Sequence, residues 1–272
     1  MNKEEKEKLE NIAKQIRRNI VTSIYCAKSG HPGGSLSIAD ILAVLYFKEM
    51  KVDPKNPNWE DRDRFILSKG HCAPALYSAL SLKEYFPQED LVSLRGITSY
   101  LQGHPDMTKV PGVDMTTGSL GQGLSAANGM ALAGKLDGKD YRVYVMLGDG
   151  EIEEGQVWEA AMSSSKYNLD NLCAILDYNH LQIDGTIEEV KGLTGISEKF
   201  RAFGFEVFEI DGHNLEEIEE ALEKARKIKG KPMMIIAHTI KGKGVSYMED
   251  KVEWHGKAPN EEEYRKAMQE LA

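Results

Sequence analysis

The chain has 272 residues, 41% hydrophobic and 28% charged, with a net charge of −9. This is an ordinary globular composition; the lack of a basic block argues against a nucleic-acid surface, and no apolar run is long enough to span a membrane. The charged opening MNKEEKEKLENIAKQIRR has the character of neither a signal peptide nor an anchor, so cytoplasmic residence is expected.

Residues 4 to 28 read as a helix, with Leu9, Ile12, Ala13, Ile16 and Ile20 at helical spacing. The run Ser29-Gly-His-Pro-Gly-Gly-Ser35 is expected to be a turn, followed by a helix from Ser37 to Lys48 and a polar loop from Asp53 to Asp63. Arg64 to Leu67 is a short strand that leads through Ser68-Lys-Gly-His71 into a helix from Ala73 to Leu82. Residues 96 to 123 read as loop, and Leu124 to Lys135 as a small-residue helix. From there strands and helices alternate. The strands are 142–147, 172–177, 206–210 and 233–237; the helices are 157–167, 196–203 and 215–227, with 261–271 closing the series. Such alternation predicts an α/β fold, an open and mostly parallel sheet with helices on both faces. Residues 1–272 read as one domain. Cys26, Cys72 and Cys173 follow no zinc spacing and are expected as reduced core thiols.

The chemistry concentrates between Gly148 and Asn179. Gly148-Asp149-Gly150 ends one apolar strand and Asp177-Tyr178-Asn179 ends another, at the separation of one βαβ crossover. Ligands of open α/β sheets sit beyond the carboxyl ends of the strands. The glycines let backbone approach a ligand, and a following helix can turn its free N–H groups toward phosphate. Asp149, Asn179 and a diphosphate would supply most of an octahedron around Mg²⁺. Either residue alone is an ordinary turn former; the two together at this spacing are more specific.

Gly118-Ser-Leu-Gly121-Gln-Gly123 is neither a dinucleotide-binding fingerprint nor a Walker motif, and alone is as readily a tight turn. Of the seven histidines, His31, His71, His104, His213 and His255 lie in Gly- or Pro-rich turns, from which a ring can reach a ligand or move a proton. No pair has a zinc spacing.

In chain order, Ser29-Gly-His-Pro-Gly33, Ser68-Lys-Gly-His71, Gly103-His-Pro105, Thr117-Gly-Ser-Leu-Gly-Gln-Gly123, Gly148-Asp-Gly-Glu, Asp177-Tyr-Asn179 and Trp254-His-Gly256 resemble the N-terminal, diphosphate-binding domain of transketolases, over about residues 10 to 257. The resemblance implies thiamine diphosphate with Mg²⁺ or Ca²⁺. It implies Asp149, Asn179 and the backbone carbonyl of Leu181 as metal ligands, and Gly150 against the diphosphate. His71 and His255 would lie near the diphosphate and reaction centre, with Gly118, Ser119 and Leu120 beside the thiazolium ring. Glu154 would contact the partner chain near the cofactor. His31 and His104 would face the sugar, and with His255 they are the candidates for catalysis. His213 matches no family position and reads as structural.

Single-chain transketolases continue into a pyrimidine-binding and a C-terminal domain, which this sequence does not contain. The resemblance therefore implies the N-terminal subunit of a split transketolase, two copies of each chain, acting on sugar phosphates. Related enzymes of the superfamily acting on another sugar or a 2-keto acid, and a non-catalytic cofactor-binding module, are the alternatives.

Overall fold

A computed structural model describes residues 1–272. Five strands form its sheet: β1 (Arg64–Leu67), β2 (Val143–Gly148), β3 (Leu172–Tyr178), β4 (Glu206–Asp211) and β5 (Met233–His238). Their order is β1-β2-β3-β5-β4, and every neighbouring pair is parallel. β2 is buried along its whole length and β3 up to Tyr178, as near-continuous apolar runs of a sheet covered on both faces should be.

The helices are α1 (Lys3–Ala27), α2 (Pro32–Leu36), α3 (Ala39–Val44), α4 (Ala73–Leu82), α5 (Gly123–Leu136), α6 (Gly155–Lys166), α7 (Ile187–Val190), α8 (Ile196–Ala202), α9 (Leu215–Lys227) and α10 (Glu261–Glu270). Helix α1 starts where Asn2 and Glu5 form a reciprocal capping box. Its stripe of Leu9, Ala13, Ile16, Ile20 and Ile24 is buried on the larger core, with α3, α4 and α9. The second core, on the other sheet face, takes Leu124 and Ala127 of α5, Val157 and Ala161 of α6, and Ile196 and Phe200 of α8. Alternate residues of β2 serve the two: Tyr144 and Met146 face the first, Val143, Val145 and Leu147 the second.

Strand order explains where a ligand can enter. From β1 to β4 the chain progresses across the sheet, with α5, α6 and α8 entering the next strands from one face after α4 has packed on the other. It then steps back from β4 to β5 through α9 on the other face, as right-handed crossovers require. The loops leaving β3 and β5 therefore diverge, and a crevice opens at their carboxyl ends.

Three expectations change. Pro32–Leu36 is a short helix rather than a turn, although Gly33 and Gly34 are poor helix formers. Tight packing overrides propensity: a Cβ on Gly33 would lie 2.9 Å from Lys241 Cγ, and one on Gly34 2.9 Å from Cys72 Sγ. The single helix expected from Ser37 to Lys48 is instead α3 followed by a π-helical turn, Leu45–Glu49. Cys72 and Cys173 are buried as expected, but Cys26 is exposed on the outer side of α1. No helix is long and apolar enough to cross a membrane.

Candidate functional site

β2 and β3 bring the two halves of the sequence signature together. Gly148 pairs with Asp177 in register, so the loops carrying Asp149 and Asn179 lie side by side. Asp149 is buried; its Oδ2 accepts the amides of Asn179 (2.9 Å) and His180 (2.6 Å), and its Oδ1 that of Gly150 (2.8 Å). Asn179 Oδ1 accepts the Leu181 amide at 3.2 Å, while its Nδ2 donates to Asp177 Oδ2 at 2.9 Å. His180, at φ 65°, turns the chain between them. A carboxylate, an amide oxygen and the Leu181 carbonyl thus gather as hard oxygen donors of the kind Mg²⁺ or Ca²⁺ takes. Burial, and then the charge of Asp177, push the Asp149 carboxyl up to about 7. A divalent cation would offset both effects, so the residues fit one. No three His, Cys, Asp or Glu side chains converge to hold a metal, so the donor set depends on an amide and a backbone carbonyl.

Two lysines and a glutamate that carried no role in the sequence complete the frame. Lys69 Nζ lies 2.5 Å from Asp177 Oδ2 and 2.7 Å from the Gly34 carbonyl. Burial opposes the Asp177 charge, but Lys69, with Thr239 and Ser37 donating, holds that carboxyl below the usual range. Lys241 Nζ donates to the Leu181 carbonyl (2.9 Å) and meets His255 Nδ1 at 3.0 Å. An ammonium group only donates, so Nδ1 accepts and the His255 proton sits on Nε2. Burial lowers Lys241, with Asp149 pulling the other way. Glu151 is a tie: it accepts the Ser68 hydroxyl and the amides of Gly121 (3.0 Å) and Gly148 (2.9 Å), joining the ends of β1 and β2 to the Gly118–Gly123 loop. The available signal was two lysines beside glycines, in Ser-Lys-Gly and Ile-Lys-Gly, within an acidic chain.

Across the cavity His31, His71 and His255 cluster, with ring centroids 5.1, 5.3 and 5.6 Å apart. Burial lowers His31 and His71 to about 4 each and His255 to about 3, with neighbouring positive charges adding to the effect. At neutral pH the three rings are uncharged donors and acceptors. His31 Nδ1 is buried without a hydrogen-bond partner, as a group awaiting a ligand would be. His104 lies outside this cluster, exposed, its ring against Gly118; burial and then His71 lower it.

The cavity measures about 340 Å³, within the range of small-molecule sites. Gly118, Leu120, Gly150, Glu154 and Leu181 line it alongside the histidines, the lysines, Asp149 and Asn179. Ser119 and Glu154 are exposed, with Glu154 packed against Gly121. His213 is elsewhere, bonded to Asp40 and the Ile240 amide.

A family model described as the transketolase thiamine diphosphate-binding domain matches residues 8–272. The chain belongs to the transketolase family. It is 51% identical, over 97% of its length and 96% of the relative's, to the 6-deoxy-6-sulfo-D-fructose transketolase subunit SqwG of Clostridium sp. (strain MSTE9). It is 45% identical, over 98% and 94%, to one of the subunits of the apulose-4-phosphate transketolase of Phocaeicola vulgatus. Among solved structures, transketolase from Campylobacter jejuni superposes with a TM-score of 0.89 at 37% identity, covering 96% of this chain and 43% of that one. The chain thus spans less than half of that transketolase, but nearly the full length of the two subunits.

Proposed function

We propose that this chain is the N-terminal subunit of a two-chain transketolase that moves a two-carbon ketol unit from a ketose to an aldose. The observation that carries the proposal is the convergence of Asp149, Asn179 and the Leu181 carbonyl with a cluster of uncharged histidines in one cavity. The family model and the near full-length match to two transketolase subunits support it. The second chain would carry the pyrimidine-binding and C-terminal domains, in an assembly of two copies of each.

When bound, thiamine diphosphate supplies the carbanion chemistry that cleaves and forms the bond beside a ketose carbonyl. This chain's residues do the rest. Asp149, Asn179 and Leu181 hold Mg²⁺ or Ca²⁺. The Gly150 backbone and His71 would meet the phosphate end, and Gly118 to Leu120 would flank the ring. His255, lining the same cavity, would offer a ligand its Nε2 proton, because Lys241 occupies Nδ1. His31 and His104 donate to or accept from the sugar hydroxyls, and with His255 they exchange protons there. Glu154, exposed at the mouth, meets the partner.

Sugar phosphates are the proposed substrates. The identity to a relative named for a sulfonated sugar favours a second reading, a substrate ending in sulfonate. Reconstitution with the partner chain tests both. Ketol transfer dependent on thiamine diphosphate and Mg²⁺ is expected, and comparison of phosphorylated with sulfonated ketoses decides the donor. A well-folded pair with no transfer from any ketose would contradict the proposal.

A further inference from the structure

His213 lines no part of the cofactor cavity, yet both of its ring nitrogens are engaged. Nδ1 lies 2.7 Å from Asp40 Oδ2, and Nε2 accepts the Ile240 amide at 2.9 Å. Asp40, buried on α3, also takes a bidentate pair from Arg17 of α1, at 3.1 and 2.5 Å. Burial opposes the Asp40 charge, but the His213 hydrogen bond and Arg17 together hold its carboxyl below the usual range. Asp40 therefore accepts and His213 carries its proton on Nδ1. This looks like a catalytic Asp–His pair, but its outer nitrogen is spent on backbone.

That backbone is the segment carrying Lys241. The Thr239 amide bonds the Tyr178 carbonyl (3.1 Å) and the Gly242 amide bonds the Gly33 carbonyl (2.9 Å). The amide of Ile240, directly before Lys241, bonds a side chain, that of His213, while its carbonyl accepts the Lys243 amide at 3.2 Å. The lysine is almost fully buried, its stem passing over Gly33 where no Cβ would fit. Its ammonium then bridges the Leu181 carbonyl and His255 Nδ1. Buried ionic networks add little net stability compared with apolar residues of the same size, so such a network in an otherwise apolar core suggests a role in fixing one geometry.

We propose that Arg17, Asp40 and His213 form a positioning relay that sets Lys241, and through it the tautomer of His255 and the carbonyl of Leu181. The proposal rests on the cofactor-binding reading of the cavity, but its first test does not. In His213→Phe the Ile240 amide loses its acceptor. In His213→Gln the amide side chain can donate to Asp40 and accept from Ile240. Nitrogen NMR of the His255 ring in the isolated chain is expected to show a single Nε2–H tautomer in wild type and His213→Gln, and a mixture in His213→Phe. In the complex with the partner chain, the affinity for thiamine diphosphate at fixed Mg²⁺ is expected to fall roughly 10- to 100-fold in His213→Phe, the loss typical of a support behind a metal site, and to recover in His213→Gln. An unchanged His255 tautomer in a folded His213→Phe would overturn the relay, as would an affinity loss that His213→Gln shares. A wild-type complex that ignores the cofactor would sink the functional reading and leave the NMR result to judge the relay.

Discussion

The two ends of the same strands carry similar residues and use them differently. At the amino ends, Asp63 accepts the amides of Lys51 and Arg142, and Asp170 takes the Gly230 amide and the Lys135 ammonium. Glu49 takes the Tyr144 hydroxyl and pairs with Arg226. A cavity of about 320 Å³ lies among them, nearly as large as the one at the carboxyl ends, and these three carboxylates are spent on the chain's own amides, a hydroxyl and cationic side chains. At the carboxyl ends, Asp149 is raised to about 7 and three clustered histidines are depressed to about 4 or below. Charge and volume alone do not mark a site; a cluster of histidines facing a displaced carboxyl does.

Exchanging equivalent carboxylates gives the largest expected contrast. Asp149→Asn should weaken metal-dependent binding of thiamine diphosphate at least 100-fold, above the roughly 10- to 100-fold seen for outer supports of metal sites. Asp170→Asn, at the amino end, should leave that affinity unchanged. Without metal, Asp149→Asn should lower the melting temperature, because whichever way it turns, its side-chain NH2 meets a backbone N–H that the carboxylate now accepts, although the change relieves a charge that burial and Asp177 oppose. Calorimetric titration and thermal melts check both halves, and equal losses from the two variants would erase the contrast.

Glycine packing extends it to stability. An alanine Cβ at Gly70 would lie 2.6 Å from Thr117 Oγ1 and 2.8 Å from the Gly118 amide, so Gly70→Ala should cost about 1–3 kcal/mol and disturb the Gly118–Gly123 loop. Gly129, within α5, has nothing within 4 Å, and Gly129→Ala should stabilise by about 1 kcal/mol. Urea unfolding separates the two signs.

Acid reads the histidine cluster. The folded state keeps His31, His71 and His255 unprotonated down to about 4 or 3, whereas the unfolded chain protonates them near 6.5, so the unfolded state binds more protons between these values and stability falls as pH drops through that window. Asp149 works in the other direction, holding a proton when folded up to about 7 and when unfolded only up to about 3.8. Around the site four histidines, His104 included, stand against the raised carboxyls of Asp149 and Glu151, so a net loss from pH 6.5 to 4 is expected from these groups, and His31→Gln should flatten it; a slope unaltered in that variant would remove His31 from the account. Smallest of all, breaking the exposed Arg265–Glu261 pair should change stability by less than about 0.5 kcal/mol.

Much of this contrast was legible before the fold. β2 and β3 are continuous apolar runs, so their ends, and with them Asp149 and Asn179, could be placed from sequence. Turn chemistry marked His31, His71 and His255 as available to a ligand, and they converge. The roles of Lys69 and Lys241 were not legible, because a buried lysine looks like a surface lysine until its carboxylate or carbonyl partner, far away in sequence, is known. The helix at Pro32–Leu36 was hidden for a related reason: its two glycines are there for close packing on Lys241 and Cys72, and local propensity argues against them. His213 shared its turn context with the other histidines; having no counterpart in the family set it apart as structural, and its partners, Asp40 and Ile240, could be known only from the fold.

The central claim is that Asp149, Asn179 and the Leu181 carbonyl hold the cation that anchors the cofactor's phosphate end. Crystals of the chain, alone or with its partner, grown with thiamine diphosphate and Mn²⁺ in place of Mg²⁺ would show it by anomalous diffraction. A single strong peak among those three oxygens, next to diphosphate density facing Gly150, is the predicted result. A peak elsewhere, or diphosphate bound with no metal on Asp149, would contradict it.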